Sequence, residues 1–547
     1  MDYTKIRNLV LCLALALATQ AIYAQSLTER GFHWDRVLMD GSRTDTLNLK
    51  GTQLQMQKII DDARPAMAYL KEVIGQSEKP LSKYKPESPL SNWYADMLLE
   101  ESGATCGEQC DISLGNFGGI RIDMPEGDVI VDDMVSMFPF DNKIVIAKIK
   151  GDSLMVLLNS MAVNGWEVLG GVRIVAEEID GKKQAVSAKI GGKDLEPEKI
   201  YSIISNDFLL DGGDGVYLAS LSQEYRKLPL LVRDLAIAHI RRLNSEGRKI
   251  RGFVDDRVSM RYKLQENKLY NAIPGYAPSY VEGAKTAPHR LNILHTNDTH
   301  SHIEAIRSGR YGNCSGILER AAFVDSVRTA DKARNVLLLD AGDFEQGTTY
   351  FTVHKGKVEI DYMNKMGYDV VTLGNHQFDN GSKALAQRLK KARFKVVLSN
   401  YDLADKDLEK LVKPYAIVRR GGLKIGIVGA LTDLGSLVDI DKLGGLRYLD
   451  PVEHINSYAA FLKERKGCDM VILLSHLGLN GDKKIGFEHN IGDLEIAPKL
   501  HNVDLIIGGH SHSDLKAPIV LKDADGKDIV IVHEFCWGIY MGEVKIN

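Results

Sequence analysis

Residues able to hold a divalent cation or move a proton recur in this sequence at one kind of place, the point where an apolar run stops. The run Leu291–His295 empties into Asp298-Thr-His300, and the run ending at Leu339 into Gly342-Asp343. Val370–Leu373 leads to Gly374-Asn375-His376-Gln-Phe-Asp379. Met470–Leu474 leads to His476, and Leu505–Ile507 to Gly509-His510-Ser-His512. Carboxylate, imidazole and amide oxygen together suit Mn, Fe or Zn better than Ca or Mg. A carboxylate can bridge two cations about 3.5–4 Å apart, the clamp used in phosphate-ester cleavage. A single Asp-x-His would be an ordinary loop, but five strand ends in one order are not. Glycines beside these residues, at Gly342, Gly374, Gly508 and Gly509, suit tight turns.

The elements that must position these groups follow from the same runs. In sheets of α/β domains, ligands gather outside the carboxyl ends of the strands. From residue 290 to 547, apolar strands alternate with helical stretches such as Ile317–Ala330 and Val358–Met366, which predicts a layered α/β domain. Residues 38–262 read instead as a mixed α+β domain. Apolar spacing at Met56, Ile60, Ala63, Met67, Leu70 and Ile74 predicts one helix over that stretch. A second is expected from Ser91 with Trp93, Met97 and Leu98 inward, and further helices at Ser153–Val163 and Leu228–Asn244. Pro274, Pro278 and Pro288 mark 263–289 as a linker.

The first domain carries three polar-aromatic strings: Asn116-Phe-Gly-Gly-Ile-Arg121, Phe138-Pro-Phe140-Asp-Asn142 and Asn206-Asp-Phe208-Leu-Leu-Asp-Gly-Gly-Asp214-Gly. Two aromatics can stack on the faces of a base. Arg121 offers a fork of donors for phosphate. Asp214, in a glycine-rich loop, can accept from ribose hydroxyls. Either Phe alone would read as core; the strings together favour a nucleotide site.

With 547 residues the chain is long enough for two domains. Its 44% apolar and 26% charged residues are those of an ordinary globular protein. A net charge of −4 supplies no pull toward a nucleic acid polymer. Lys5 and Arg7, the apolar run Leu9–Ala18 and Ala24 read as a signal peptide over 1–24, too short to span a bilayer. A secreted, periplasmic protein with no transmembrane anchor is therefore expected. Cys106 and Cys110 lie close enough in sequence to pair in such a compartment, or to stay free.

On the five strand-end motifs, residues 291–547 resemble the calcineurin-like metallophosphoesterases, in their 5′-nucleotidase branch. The three strings of the first domain resemble the substrate-binding domain of the same family. The resemblance implies an αββα-type catalytic domain preceded by the substrate domain, the reverse of the family's usual order. It implies two divalent ions, Mn, Zn, Fe or Co. One is implied at Asp298, His300, Asp343 and His512, the other at Asp343, Asn375, His476 and His510, with Asp343 bridging. His376 resembles the family's catalytic histidine, paired with Asp379, and the nucleophile would be a metal-activated water. Phe140 and Phe208 would sandwich the base, Asn142 read its edge, Asp214 hold the sugar, and Asn116 and Arg121 approach the phosphates. Several family members carry Gln or Asn where His512 stands. The family's arginines before the helix near Asn92 are replaced by Ser82-Lys-Tyr-Lys-Pro-Glu-Ser-Pro, where Lys83 or Lys85 could serve as a point charge. The function expected is phosphate release from nucleotides. The alternatives are 2′,3′-cyclic nucleotide phosphodiesterase, UDP-sugar hydrolase, and a periplasmic nucleotide-binding protein without turnover.

Overall fold

The computed structural model describes residues 27, 31–262, 291–307, 311–435, 437–438, 440–481 and 490–546. The expected signal peptide and the linker 263–289 lie outside the described residues.

The second domain is built on two sheets packed face to face. One has the strand order Phe32–Leu38, Tyr540–Ile546, Leu291–Thr296, Val336–Asp340, Val370–Thr372, Lys395–Val397, Val412–Lys413. The other runs Tyr415–Arg420, Leu423–Leu431, Met470–His476, Leu505–Gly508, Asp528–His533, Ile519–Lys522. The central strands that carry the motifs pair in parallel, so their carboxyl ends lie side by side. Alternate side chains sort onto two faces. Ile293, Leu337 and Leu339 meet Ile427, Ile472 and Ile506 between the sheets. Leu294 and Leu338 point the other way, into the cluster that holds Val324 and Met363 of the outer helices Ile317–Asp331 and Lys357–Met366. A strand covered on both faces needs an unbroken apolar run, and Val-Leu-Leu-Leu of 336–339 supplies it. This is the helix–sheet–sheet–helix layering expected.

The first domain is mixed α+β. Its five-stranded sheet has the order Ser222–Leu231, Lys143–Lys150, Ile200–Asn206, Ile112–Gly115, Val168–Gly170. The helix Pro89–Ala104 packs on it and buries Trp93, Met97 and Leu98. That helix starts two residues before Ser91. Ser88 Oγ accepts from the Ser91 N–H at 3.1 Å, Ser91 Oγ accepts from the Ser88 N–H at 2.8 Å, and Pro89 fits the first turn.

Three expectations about elements change. The helix over Met56–Ile74 is split: Thr52–Ala63 is α-helical, Arg64–Lys71 tightens into a 3₁₀ helix at Pro65, and Ile74 lies in the strand Val73–Ser77. Leu228–Leu231 end a strand, and the following helix is Val232–Ser245. The first domain does not part from the second at residue 38. Phe32–Leu38 pairs antiparallel with Tyr540–Ile546, Phe32 opposite Ile546, and Thr52–Ala63 packs on Ile317–Asp331 and Lys357–Met366. The N-terminal segment thus completes the edge of the second domain's sheet. The described cysteines, Cys106 and Cys110 included, are all unpaired. Among the described residues no helix is long and apolar enough to cross a membrane.

Candidate active site

The two domains meet over a cavity of about 1110 Å³. Its floor is the row of strand ends of the second domain. Asp298 and His476 are fully buried there, and His300 and Asp343 nearly so. Asp298, His300 and His512 bring ligand atoms within 4.8 Å of one another, as do Asp298, Asp343 and His476. His376, expected as a proton carrier, comes equally close to His300 and Asp343. Asn375 and His510 adjoin each other, Oδ1 to Nδ1 at 3.0 Å.

The hydrogen bonds around the histidines fix which nitrogen faces inward. His300 Nδ1 donates to the Gln346 carbonyl at 2.9 Å, and His476 Nδ1 to the Ala341 carbonyl at 2.7 Å. With Nδ1 so committed, Nε2 of each ring faces the centre, where it can take a cation or a proton. His476 Nε2 faces Asp343 Oδ2 at 3.1 Å and Asp298 Oδ1 at 4.0 Å, yet makes no hydrogen bond. A lone pair aimed at two buried carboxylates calls for a proton or a cation between them. The demand for positive charge shows in the ring's pKa. Burial pushes it down, but Asp343 and Asp298 outweigh that and raise it to about 9. Burial likewise opposes ionisation of Asp343, and His476 and His376 still hold its carboxyl well below the usual range. His300 Nε2 also lies 2.9 Å from His512 Nε2, a contact that one shared cation would satisfy. The donor set, the inward lone pairs and the orphaned Nε2 of His476 fit divalent metal ions.

The backbone is bent to make this floor. Asp298, His300, Asp343, His510 and His512 all have positive φ, between 45° and 73°. Non-glycine residues there store about 1–3 kcal/mol each. Hydrogen bonds hold them: the Asp298 N–H donates to the Gly342 carbonyl at 2.9 Å, and the His510 N–H to the Asp298 carboxylate at 3.0 Å. The glycines serve two different ends. Gly342 sits at φ +94° and makes the turn. Gly374 has φ −108° and needs no such freedom; a Cβ on it would lie 2.1 Å from Asp343 Oδ1. It is there for close approach rather than for a turn.

His376 stands on the wall of the cavity. Its Nδ1 is 3.0 Å from Asp379 Oδ2, and its Nε2 is 4.0 Å from Asp343 Oδ2. Burial lowers its pKa, but Asp379 and Asp343 raise it by more, so the net shift is upward.

The first domain supplies the facing wall. Asn116, Arg121, Phe140, Asn142, Phe208 and Asp214 all line the cavity. Arg121 Nη2 comes within 3.2 Å of His300 Nε2, and its guanidinium lies 5.8 Å from the centre of the Phe140 ring. Phe140 stacks on His376, centroids 5.6 Å apart and planes 29° off parallel. Asn116 Nδ2 donates to Asp214 Oδ2 at 3.2 Å. From the second domain Asp343, Asn375, His376, Asp379, His510 and His512 line the same space, with Asp298, His300 and His476 forming the layer beneath. Every residue nominated from the strand-end motifs and the three strings is thus brought to this one place.

Sequence reasoning missed residues inside the very motifs it used. Gln377 Oε1 accepts from the N–H groups of Asp343 and Gly374, at 3.1 and 2.7 Å, and so ties two strand ends together. Asn297 Nδ2 donates to Asp298 Oδ2 at 2.7 Å. Their adjacency to ligands was the available signal. Lys83 and Lys85, nominated as phosphate charges, do not line the cavity.

Residues 73–220 match the family described as 5′-nucleotidase, C-terminal domain, and residues 291–514 match calcineurin-like phosphoesterase. The chain thus carries one segment like the 5′-nucleotidase C-terminal domain and one like the calcineurin-like phosphoesterases. It is 31% identical over 280 residues to the snake venom 5′-nucleotidase of Crotalus adamanteus, covering 47% of this chain and 45% of that protein. The Bos taurus 5′-nucleotidase is 33% identical over 293 residues, 48% of this chain and 47% of the bovine protein. A solved 5′-nucleotidase precursor from Thermus thermophilus is 37% identical, with a TM-score of 0.40 over 46% of this chain and 49% of that one. The chain spans about half the length of the curated relatives it matches. The match to the 5′-nucleotidase C-terminal domain precedes the match to calcineurin-like phosphoesterase along the chain.

Proposed function

We propose that this chain is a two-metal phosphohydrolase that releases phosphate from nucleotides. The observation that carries the reading is the shared cavity. It joins the inward-facing ligand floor, His376 with its carboxylate, the Arg121 guanidinium and two aromatic rings in one space.

Asp298, His300, Asp343 and His512 would hold one cation, and Asp343, Asn375, His476 and His510 the other, with Mn, Zn, Fe or Co as the candidates. Bound there, divalent ions supply Lewis-acid charge to the phosphoryl group and acidify the attacking water. Arg121 neutralises phosphoryl oxygens from the opposite side, where its fork can engage two at once. Asp379 fixes the His376 ring through Nδ1, so a proton held at Nε2 faces the cavity and can pass to the leaving oxygen. Phe140 and Phe208 would take the base between them, Asn142 its edge, Asp214 the ribose and Asn116 the phosphate side. The signal-like N-terminus supports a secreted, periplasmic enzyme.

The test is phosphate release by the purified chain from AMP, ATP, a nucleotide sugar and a small aryl phosphate, with Mn²⁺ and then with chelator. Chelator-sensitive release from nucleotides, well above the aryl phosphate, is the expected result. Release from the aryl phosphate alone overturns the nucleotide reading and leaves a metal phosphoesterase.

A further inference from the structure

Lys83 and Lys85, the expected point charges for phosphate, are absent from the lining of the cavity. They converge on one short loop instead. Lys83 Nζ donates to the carbonyls of Phe117, at 3.0 Å, and Ile120. Lys85 Nζ donates to Glu167 Oε1 at 2.9 Å and lies 5.2 Å from the centre of the Phe117 ring. Glu167 has a side chain only 6% exposed, and its other oxygen accepts from the Phe117 N–H at 2.7 Å.

The loop needs such help. Phe117–Gly119 is a single 3₁₀ turn with no side-chain cap, and one turn does not hold itself. What it carries is Asn116, buried, whose Nδ2 donates to Asp214 Oδ2 at 3.2 Å and whose Oδ1 accepts from Asn206 Nδ2 at 3.3 Å. Asp214 is itself at φ +53°, a conformation that neighbours must maintain. A line of direct contacts therefore runs Lys85, Glu167, Phe117 N–H, Asn116, Asp214. Arg121, by contrast, is anchored separately, by its N–H on the Met137 carbonyl at 2.9 Å and its guanidinium against His300.

We infer that Lys85 and Glu167 are a pair of positioning residues for nucleotide recognition, acting on the ribose side of the cavity through Asn116 and Asp214. The charge at Lys85 holds the loop that touches substrate and does not touch substrate itself. The inference rests on the nucleotide reading above. It predicts that the pair matters to substrates with a ribose and little to those without.

The experiment compares the full chain with Lys85→Met, Glu167→Gln and the double variant. It measures AMP binding by calorimetry, and kcat and KM for AMP and for an aryl phosphate, with Mn²⁺ present. Each single variant should raise the AMP Kd and KM roughly tenfold, with kcat changed far less, and the double should be no worse than the worse single. The aryl phosphate should keep its kcat/KM within about twofold. Multiplying effects in the double, or equal losses on both substrates, overturn the inference. Should Glu167→Gln fail to fold, Lys85→Arg and Lys85→Met decide: Arg keeps the ion pair and should keep AMP binding, Met should not, and equal Kd values overturn it. A wild-type chain that neither binds nor cleaves AMP overturns the nucleotide reading itself. Wild-type binding with unaltered variants overturns only the pair's role.

Discussion

Arg121 Nη2 of the first domain lies 3.2 Å from His300 Nε2 on the floor of the second. The guanidinium sits among Asp343, Asp298 and Asp379, so it faces the ligand cluster as a fixed positive charge. The lysines expected to share this work do not reach the floor, because Lys83 and Lys85 are committed to the 117–120 backbone and to Glu167.

Arg121→Lys should lower kcat/KM for AMP and for an aryl phosphate alike. Charged hydrogen bonds contribute about 1.5–3 kcal/mol, which is roughly 10- to 150-fold. A lysine restores the charge but not the fork. Steady-state kinetics on both substrates check it. A loss confined to AMP would place Arg121 at the nucleoside and not at the phosphate.

His376→Ala should cut kcat by roughly 10²–10⁴, the usual share of a general acid. Metal content, read by mass spectrometry after gel filtration, should stay at the wild-type value. His376 comes close enough to His300 and Asp343 to be a ligand, so the measurement discriminates. Loss of metal along with activity would make His376 a ligand and not a proton carrier.

The floor of the site was legible in the sequence because its residue types break the pattern around them. A run such as Val-Leu-Leu-Leu must continue apolar while both faces are covered, and Asp343 or His476 marks where cover ends. The wall was legible in part, since Phe140, Phe208 and Arg121 do line the cavity. Two kinds of feature were not. The pairing of Phe32–Leu38 with Tyr540–Ile546 joins segments at opposite ends of the sequence, and no local period encodes a partner that distant. The direction of a lysine side chain is equally silent, because Lys83 and Lys85 have the same composition whether they meet phosphate or carbonyl oxygens. Glu167, the acid that decides Lys85's direction, stands far along the chain and in no motif.

Gly374→Ala should lose metal before it loses fold. The new Cβ would stand 2.1 Å from Asp343 Oδ1, and Asp343 is the carboxylate common to both proposed ligand sets. The strand end must shift, and the strain falls on the Gln377 bonds that tie Asp343 to Gly374. Metal affinity should fall at least about tenfold, within the range seen when a ligand's support is disturbed. Unchanged affinity, titrated by calorimetry with Mn²⁺, would mean the strand end yields freely.

Chelation should lower the thermal midpoint. Free metal at about 100 times its Kd stabilises the folded state by about 2.7 kcal/mol. For domains of this size that corresponds to roughly 5–10 °C. The effect should be largest in the native chain and smaller in His476→Ala, which lacks one inward lone pair. A midpoint indifferent to chelator, in both proteins, would mean the buried carboxylates are satisfied by the histidines alone.

Phe208→Ala separates the base from the phosphate. Phe208 lines the first-domain side of the cavity, and its ring edge lies so near Gly213 that a Cβ there would come within 2.4 Å of it. One edge of the ring therefore rests against the Gly-Gly-Asp-Gly turn. Stacking on a base contributes about 1–3 kcal/mol, so the KM for AMP should rise roughly 5- to 150-fold. The aryl phosphate, whose contacts lie at the ligand floor, should be nearly unaffected. Parallel losses on the two substrates would instead make Phe208 a packing residue of the first domain, and a fall in thermal midpoint in the same variant would identify that outcome.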